Sequence, residues 1–219
     1  MTTQRIVIIG AGGFAREVEW LIREINQSTS TKKYEFLGYV VSDLSKVSPE
    51  ELPHILGDHQ WLKENRTKWD ALAIGIGNPE RRCSLPAELD QEFPGIIWPT
   101  LIHPTARMDF NSCKIGKGTL ICANVIGTVN LKLEDFCLIN LACTIGHEAV
   151  IGKGSVLNPS VNISGGVTVG DGVLVGTGAQ ILQYIAIGNG ATVGGGAVVT
   201  KEVLPGVTVA GIPAKPLNR

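Results

Sequence analysis

The pattern of apolar and polar positions changes period once along this chain, near residue 100. Before that point short apolar runs alternate with amphipathic stretches. "RIVIIG" (5–10) predicts a buried strand, and "FAREVEWLIREIN" (14–26) sets Val18, Leu21, Ile22 and Ile25 on one side of a helix. "YEFLGYVVSD" (34–43) predicts a second strand and "GDHQWLKEN" (57–65) a short helix opening near Asp58. "WDALAIGIGNPERR" (69–82) gives a third strand and a turn, and "ERRCSLPAELDQ" (80–91) a further helix. Strands alternating with helices imply a parallel sheet with crossover helices, so residues 1–100 read as a small α/β, Rossmann-like domain.

Beyond "IIWPTLIHPTA" the period is six. Steps of six from Ile115 reach Val199 through fifteen positions, of which fourteen are aliphatic; Gly127 is the exception. Four residues after each step comes a second restricted class, from Thr119 and Val125 to Ala191 and Ala197, all small or aliphatic. A hexapeptide repeat is the signature of a parallel β-helix, three short strands making one triangular coil of about eighteen residues. Each inward aliphatic contributes roughly 1.5–3 kcal/mol when coils stack, so residues 101–219 read as one cooperative all-β prism of about five coils. Glycines after the aliphatic step, as in "IGKG", "VGDG" and "VGGG", are expected to permit the tight corners. Ile102 and Met108 keep the beat one residue out of step, as an opening coil would.

Composition narrows the function. Nineteen basic against twenty acidic residues argue against a nucleic-acid or membrane-surface partner, which needs clustered Lys and Arg. No run of eighteen apolar residues exists to span a bilayer, and the opening segment reads as a strand rather than a secretory leader. The five cysteines lack C-x-x-C spacing and read as free thiols of a reducing, cytoplasmic compartment. Zinc hydration chemistry would need about three histidine ligands, and the prism offers His147 and His103 only, so no metal is expected.

The chemistry concentrates in "TIGHEAVIG" (144–152). His147 holds the third position of its hexad, at a corner, and Glu148 follows it. A carboxylate beside an imidazole can hold one tautomer. Adjacent residues on a strand point apart, so the two side chains meet only if the corner bends between them. The residues alone leave a structural histidine, a catalytic one and a non-enzymatic scaffold all open. His103, before Pro104, reads as a rigid junction, and His54 and His59 as solvated.

The hexad period, "IGHEAVIG" and the ending "VAGIPAKPL" resemble the left-handed β-helix acyltransferases. "VIIGAGGFAREV", "AIGIGNPERR" and "LIHPTA" narrow the resemblance to bacterial sugar acetyltransferases of the NeuD/PglD type, and it covers essentially the whole chain. It implies an acetyl-CoA-dependent N-acetyltransferase acting on a nucleotide-linked amino sugar for surface glycans; the alternative is O-acetylation of a sialic-acid-type hydroxyl. It implies His147 as general base, Glu148 as its tuner and Gly165 as oxyanion donor. It implies Val156, Thr177 and Gly195 at acetyl-CoA, in a groove between β-helices of a homotrimer, with Lys201 and Lys215 as candidates for the CoA phosphates. For the nucleotide sugar it implies Gly12, Gly13, Phe14, Val41, Ser42, Gly77 and Asn78. "GAGGFA" also fits G-x-G-x-x-A, yet the second strand lacks a fitting acid for a dinucleotide ribose and the domain is short, so NAD is not expected.

Overall fold

The computed structural model describes residues 2–47 and 54–217, the Lys46 side chain aside. Residues 1, 218 and 219, at the outer ends of the two expected domains, lie outside the described residues. The first unit is a parallel sheet of β1 (Gln4–Ile9), β2 (Tyr34–Val40), β3 (Ile55–Gly57) and β4 (Ala71–Ile74), in the order β3-β2-β1-β4. Its helices are α1 (Gly13–Gln27), α2 (His59–Glu64) and α3 (Pro79–Glu92). Strand β3, three residues long, is too short to be read from the sequence. Asp58 caps α2 by accepting from the Gln60 N–H, which places the helix start where the sequence predicts it. Gly10 turns β1 into α1 at φ +104°, and Gly75 lets β4 close on α1, since a Cβ there would lie 2.7 Å from that of Ala15.

From Leu101 the chain winds a three-sided left-handed parallel β-helix. The first face runs Leu101–Ile102, Leu120–Ile121, Leu138–Ile139, Val156–Leu157, Leu174–Val175, Thr192–Val193 and Thr208–Ala210, with Lys215–Pro216 antiparallel at its end. The second face holds Ile126–Gly127, Thr144–Ile145, Asn162–Ile163, Gln180–Ile181 and Val198–Val199. The third holds Lys114–Ile115, Lys132–Leu133, Val150–Ile151, Thr168–Val169 and Ala186–Ile187. Regular rungs pair at an offset of eighteen residues, as Thr144 with Asn162. The opening coil carries one extra residue, since Ile102 pairs with Ile121 and Arg107 bridges to Ile126. Gly127 breaks the aliphatic series without leaving a hole: a Cβ on it would meet Leu131 Cδ1 at 2.7 Å and Met108 Cβ at 3.0 Å.

The corners correct one expectation. The glycine directly after each aliphatic step keeps an ordinary φ, and its missing Cβ serves close packing of coils: at Gly152 a Cβ would fall 2.4 Å from the Gly170 backbone. The left-handed residue comes two positions later, at glycines such as Gly118 and Gly154 and also at Asn124, Phe136, Glu148 and Tyr184.

The α/β unit sits on the first face. Leu101, Leu120, Leu138 and Val156 form one apolar cluster with Ala15, Val18 and Ile22 of α1. At the corner between third and first faces, Arg82 of α3 is fully buried and donates to the carbonyls of Ile74, Ile76, Phe136 and Cys137. Cys122, Cys137 and Cys143 are buried thiols, and burial pushes the first two up to about 12.

His103 ties α1 to the opening coil and is 5 % exposed. Its Nδ1 accepts from the Thr105 N–H, which leaves the proton on Nε2. That Nε2 has no hydrogen-bond partner among the described residues and lies 4.0 Å from Glu24 Oε2. Burial holds the imidazole below its ordinary pKa, against the opposing pull of Glu24. A depressed folded-state value means the unfolded chain takes up the proton first, so this contribution is present at neutral pH and is lost as pH falls below about 6.5. Urea midpoints from pH 7.5 downward should therefore fall more steeply in the parent protein than in His103→Gln. Equal slopes would remove His103 from the pH dependence.

Candidate active site

His147 stands at the corner between the second and third faces. Glu148 takes the left-handed conformation there, φ +61°, and this bend brings the pair together: His147 Nδ1 is 3.7 Å from Glu148 Oε2. The Glu148 N–H is fixed by the Val129 carbonyl one coil earlier, and the His147 carbonyl accepts from the Gly166 N–H one coil later. Both side chains are more than half exposed. The outer edge of the imidazole lies against Gly165, where a Cβ would come within 2.4 Å of Nε2 and 2.6 Å of Cε1. Among the described residues the Gly165 N–H makes no hydrogen bond, whereas its carbonyl accepts from the Tyr184 N–H. The corner thus sets an imidazole Nε2 beside an unengaged backbone donor, with a carboxylate at the other ring nitrogen.

Thr177 and Gly195 occupy a different corner, between first and second faces. They stack in successive coils, the Gly196 N–H donating to the Thr177 carbonyl, and a Cβ on Gly178 or Gly196 would meet open space. The edge they form is bare backbone, which suits an extended amide-bearing arm. Val156 is 1 % exposed, its side chain held in the apolar cluster under α1, so it offers no polar group to a ligand. Lys201 and Lys215 are exposed and line a cleft of about 450 Å³ at the last coil.

The glycine loop of the first unit borders a cleft of about 330 Å³ at the carboxyl ends of β1, β2 and β4. Gly12, Val41 and Ser42 line it; above Gly12 and Gly77 there is open space. Asn78 caps α3 by accepting from the Arg81 N–H, and Phe14 is partly buried against the interdomain cluster. Gly13 has only the Arg16 side chain near it. Three polar or charged residues also line the cleft: Asp43, His59 and Arg81. Asp43 follows the second strand by a few residues and takes up the Ser45 N–H and hydroxyl. His59, the first residue of α2, is half-buried at the cleft wall. A polar residue at the carboxyl edge of a parallel strand is the signal that finds such positions.

The first unit and the His147 corner do not meet within one chain. The α/β unit covers the first face, and His147 lies at the corner opposite that face. The second face, between the His147 corner and the Thr177–Gly195 corner, turns Ile126, Thr144, Asn162, Gln180 and Val198 outward and carries no charge on its strands.

Among the described residues no three His, Cys, Asp or Glu side chains converge as a metal site, and no helix is long and apolar enough to cross a membrane. Residues 5–89 match the family model of the PglD N-terminal domain. No match is found among the curated proteins. Solved structures similar to the chain include a histidine-to-asparagine variant of perosamine N-acetyltransferase from Caulobacter crescentus, in complex with CoA and GDP-perosamine. It is 26 % identical with a TM-score of 0.87, over 100 % of this chain and 99 % of that one. The acetyltransferase domain of PglB from Neisseria gonorrhoeae, in complex with acetyl coenzyme A, is 28 % identical with a TM-score of 0.85, over 99 % and 100 %. WeeI from Acinetobacter baumannii is 29 % identical with a TM-score of 0.83, over 98 % and 100 %. The first unit therefore matches the PglD N-terminal domain, and over its full length the chain resembles the PglD-type sugar acetyltransferases.

Proposed function

We propose that the protein is an acetyl-CoA-dependent N-acetyltransferase acting on a nucleotide-linked amino sugar, with residues 1–100 binding the nucleotide sugar and residues 101–219 carrying the chemistry. The observation that carries this reading is the His147 corner, Nε2 against the Gly165 backbone, on a chain that matches such enzymes from end to end. His147 Nε2 takes the proton that a neutral amine loses as its nitrogen bonds to the acetyl carbon. The Gly165 N–H donates to the oxygen on which negative charge gathers. His147 then returns the proton to the departing thiolate sulfur. Glu148 holds the ring so that Nε2 faces the acceptor. Backbone at Thr177 and Gly195 holds the pantetheine arm, and the glycine loop at Gly12 with Gly77 holds the nucleotide phosphates.

This reading requires more than one copy. If three chains set their uncharged second faces around a threefold axis, the His147 corner of one meets the Thr177–Gly195 corner of the next. The α/β unit mounted on the neighbour's first face then stands beside His147, which its own cannot reach. The assembly is a homotrimer, working in the cytoplasm where acetyl-CoA, nucleotide sugars and free thiols coexist.

The test is release of free CoA from acetyl-CoA across UDP-, GDP- and dTDP-linked 3-amino and 4-amino sugars, with CMP-sialic acid and free sialic acid alongside. Turnover with an amino sugar is expected. Turnover with hydroxyl acceptors alone would make the protein an O-acetyltransferase, and silence across the panel would overturn the reading. Sedimentation should show a trimer; a fully active monomer would sink the shared site.

A further inference from the structure

One aromatic side chain at the His147 corner is left largely exposed among the described residues. Tyr184 is 72 % exposed, although it takes the left-handed corner conformation, φ +58°, where glycine or asparagine is the easier choice. It belongs to the column Glu148, Gly166, Tyr184, successive coils at one position of the His147 corner. Its ring lies back over Gly166, where a Cβ would come within 2.3 Å of Cδ1 and 2.5 Å of Cε1. Gly166 is thus glycine for two reasons, its own φ of +66° and the room it gives the ring.

The same device occurs once more, and there its purpose is visible. Phe136, φ +60°, leans over Gly118 of the preceding coil in the same way. Its ring is 1 % exposed because Trp98 packs edge-on against it at 5.3 Å, and Arg82 of the α/β unit binds its carbonyl. An aromatic folded back on a corner glycine is, in this prism, a landing surface for whatever docks on that corner. At Phe136 the lander is the chain's own first unit and the segment leading from it. At Tyr184 no described residue of the chain takes that place.

We infer that Tyr184 is the platform for the acceptor sugar, its exposed ring face taking the C–H face of the amino sugar as His147 takes the proton. This rests on the function proposed above. The placement within the corner decides between the two substrates. The column of His147 and Gly165 lies nearer the second face, where the neighbour's Thr177–Gly195 edge would hold the acyl donor. The column of Glu148 and Tyr184 lies one residue nearer the third face, on the outer side, from which a sugar carried by the neighbour's α/β unit arrives. A flat aromatic face complements a pyranose ring through its apolar C–H edge and places its nitrogen without a hydrogen bond to every hydroxyl. The ring face is what the argument needs, and the hydroxyl is not.

The experiment uses the full-length protein with the best acceptor found in the panel, comparing the parent with Tyr184→Phe, Tyr184→Ala and Tyr184→Gly. The glycine variant suits the left-handed backbone and guards against a loss caused by misfolding. KM for the nucleotide amino sugar should rise at least tenfold in Tyr184→Ala and Tyr184→Gly and stay within twofold in Tyr184→Phe, with KM for acetyl-CoA unchanged in all three. Calorimetric binding of the nucleotide sugar without acetyl-CoA should weaken in the same order. A rise in the acetyl-CoA KM alone would put the ring at the pantetheine arm and overturn the assignment. Dissociation of the oligomer in Tyr184→Gly would show that a neighbouring copy covers the ring, and would overturn it equally. If the parent acetylates no amino sugar, the proposed function itself falls; if it does and the variants match it, only the platform falls.

Discussion

Replacing His147 with alanine should lower kcat for acetyl transfer by about 10²- to 10⁴-fold, with the KM values for both substrates changed little. The side chain is more than half exposed and makes one contact with a charged partner, so its removal leaves no cavity and no buried group without a bond. Stability should hold within about 0.5 kcal/mol, as for surface substitutions generally. The loss is then chemical. A second variant separates the position of the imidazole from its presence. In Gly165→Ala the new methyl would stand 2.4 Å from Nε2, so the ring must swing off the Gly165 backbone while both side chains of the pair remain. Its kcat should fall nearly as far as in His147→Ala. An unchanged kcat in His147→Ala would remove the general base from the proposed mechanism. An unchanged kcat in Gly165→Ala would mean that the approach of Nε2 to Gly165 has no part in the reaction.

The largest effect on stability is expected at Arg82. The guanidinium is fully buried, and among the described residues no carboxylate pairs with it; four carbonyl oxygens hold it instead. Burial brings its pKa down to about 10, so it remains charged at neutral pH. Two of those carbonyls, of Ile74 and Ile76, close the end of β4, and two, of Phe136 and Cys137, belong to a coil of the prism. Arg82→Met fills a similar volume but leaves buried acceptors without donors, and about 3–5 kcal/mol of stability should be lost, the scale seen when buried charged contacts are broken. Arg82→Lys should recover part of this, because an ammonium reaches some of the four oxygens and cannot span both pairs. Urea unfolding measures the difference. Since Ile76 lines the first unit's cleft, KM for the nucleotide sugar should rise in the same variants. A midpoint shift equivalent to less than about 0.5 kcal/mol in Arg82→Met would show that the carbonyls find other donors.

These two sites were unequally visible beforehand. His147 and Glu148 stand out because a regular repeat makes any departure conspicuous, and the bend needed to bring them together is supplied by the left-handed residue found at every sixth position from Gly118 to Gly196. Arg82 is one of two adjacent arginines in "ERR", and nothing local distinguishes it from Arg81. Arg81 pairs with Glu88 on the surface, while Arg82 enters the joint between the two units. The difference is made by a coil more than fifty residues away. Val156 illustrates the same limit from the other side. As an outward position on a strand it could face solvent, a ligand or another domain, and the packing of α1 on the first face chose the last. His59 and Asp43 became cleft residues only when the strand ends carrying them came together.

The sequence by itself determined the prism, because each coil rests on the one eighteen residues before it, and that short-range stacking repeats the same demand at every sixth position. It also determined the parallel sheet of the first unit, through the alternation of apolar runs with amphipathic helices. Which face of the prism the first unit covers, and so which corners are left open, was decided only in the tertiary structure. Outward residues are selected by contacts between segments far apart in the chain, and no local period records those contacts. That one choice sets His147 opposite its own α/β unit, with Tyr184 bare beside it.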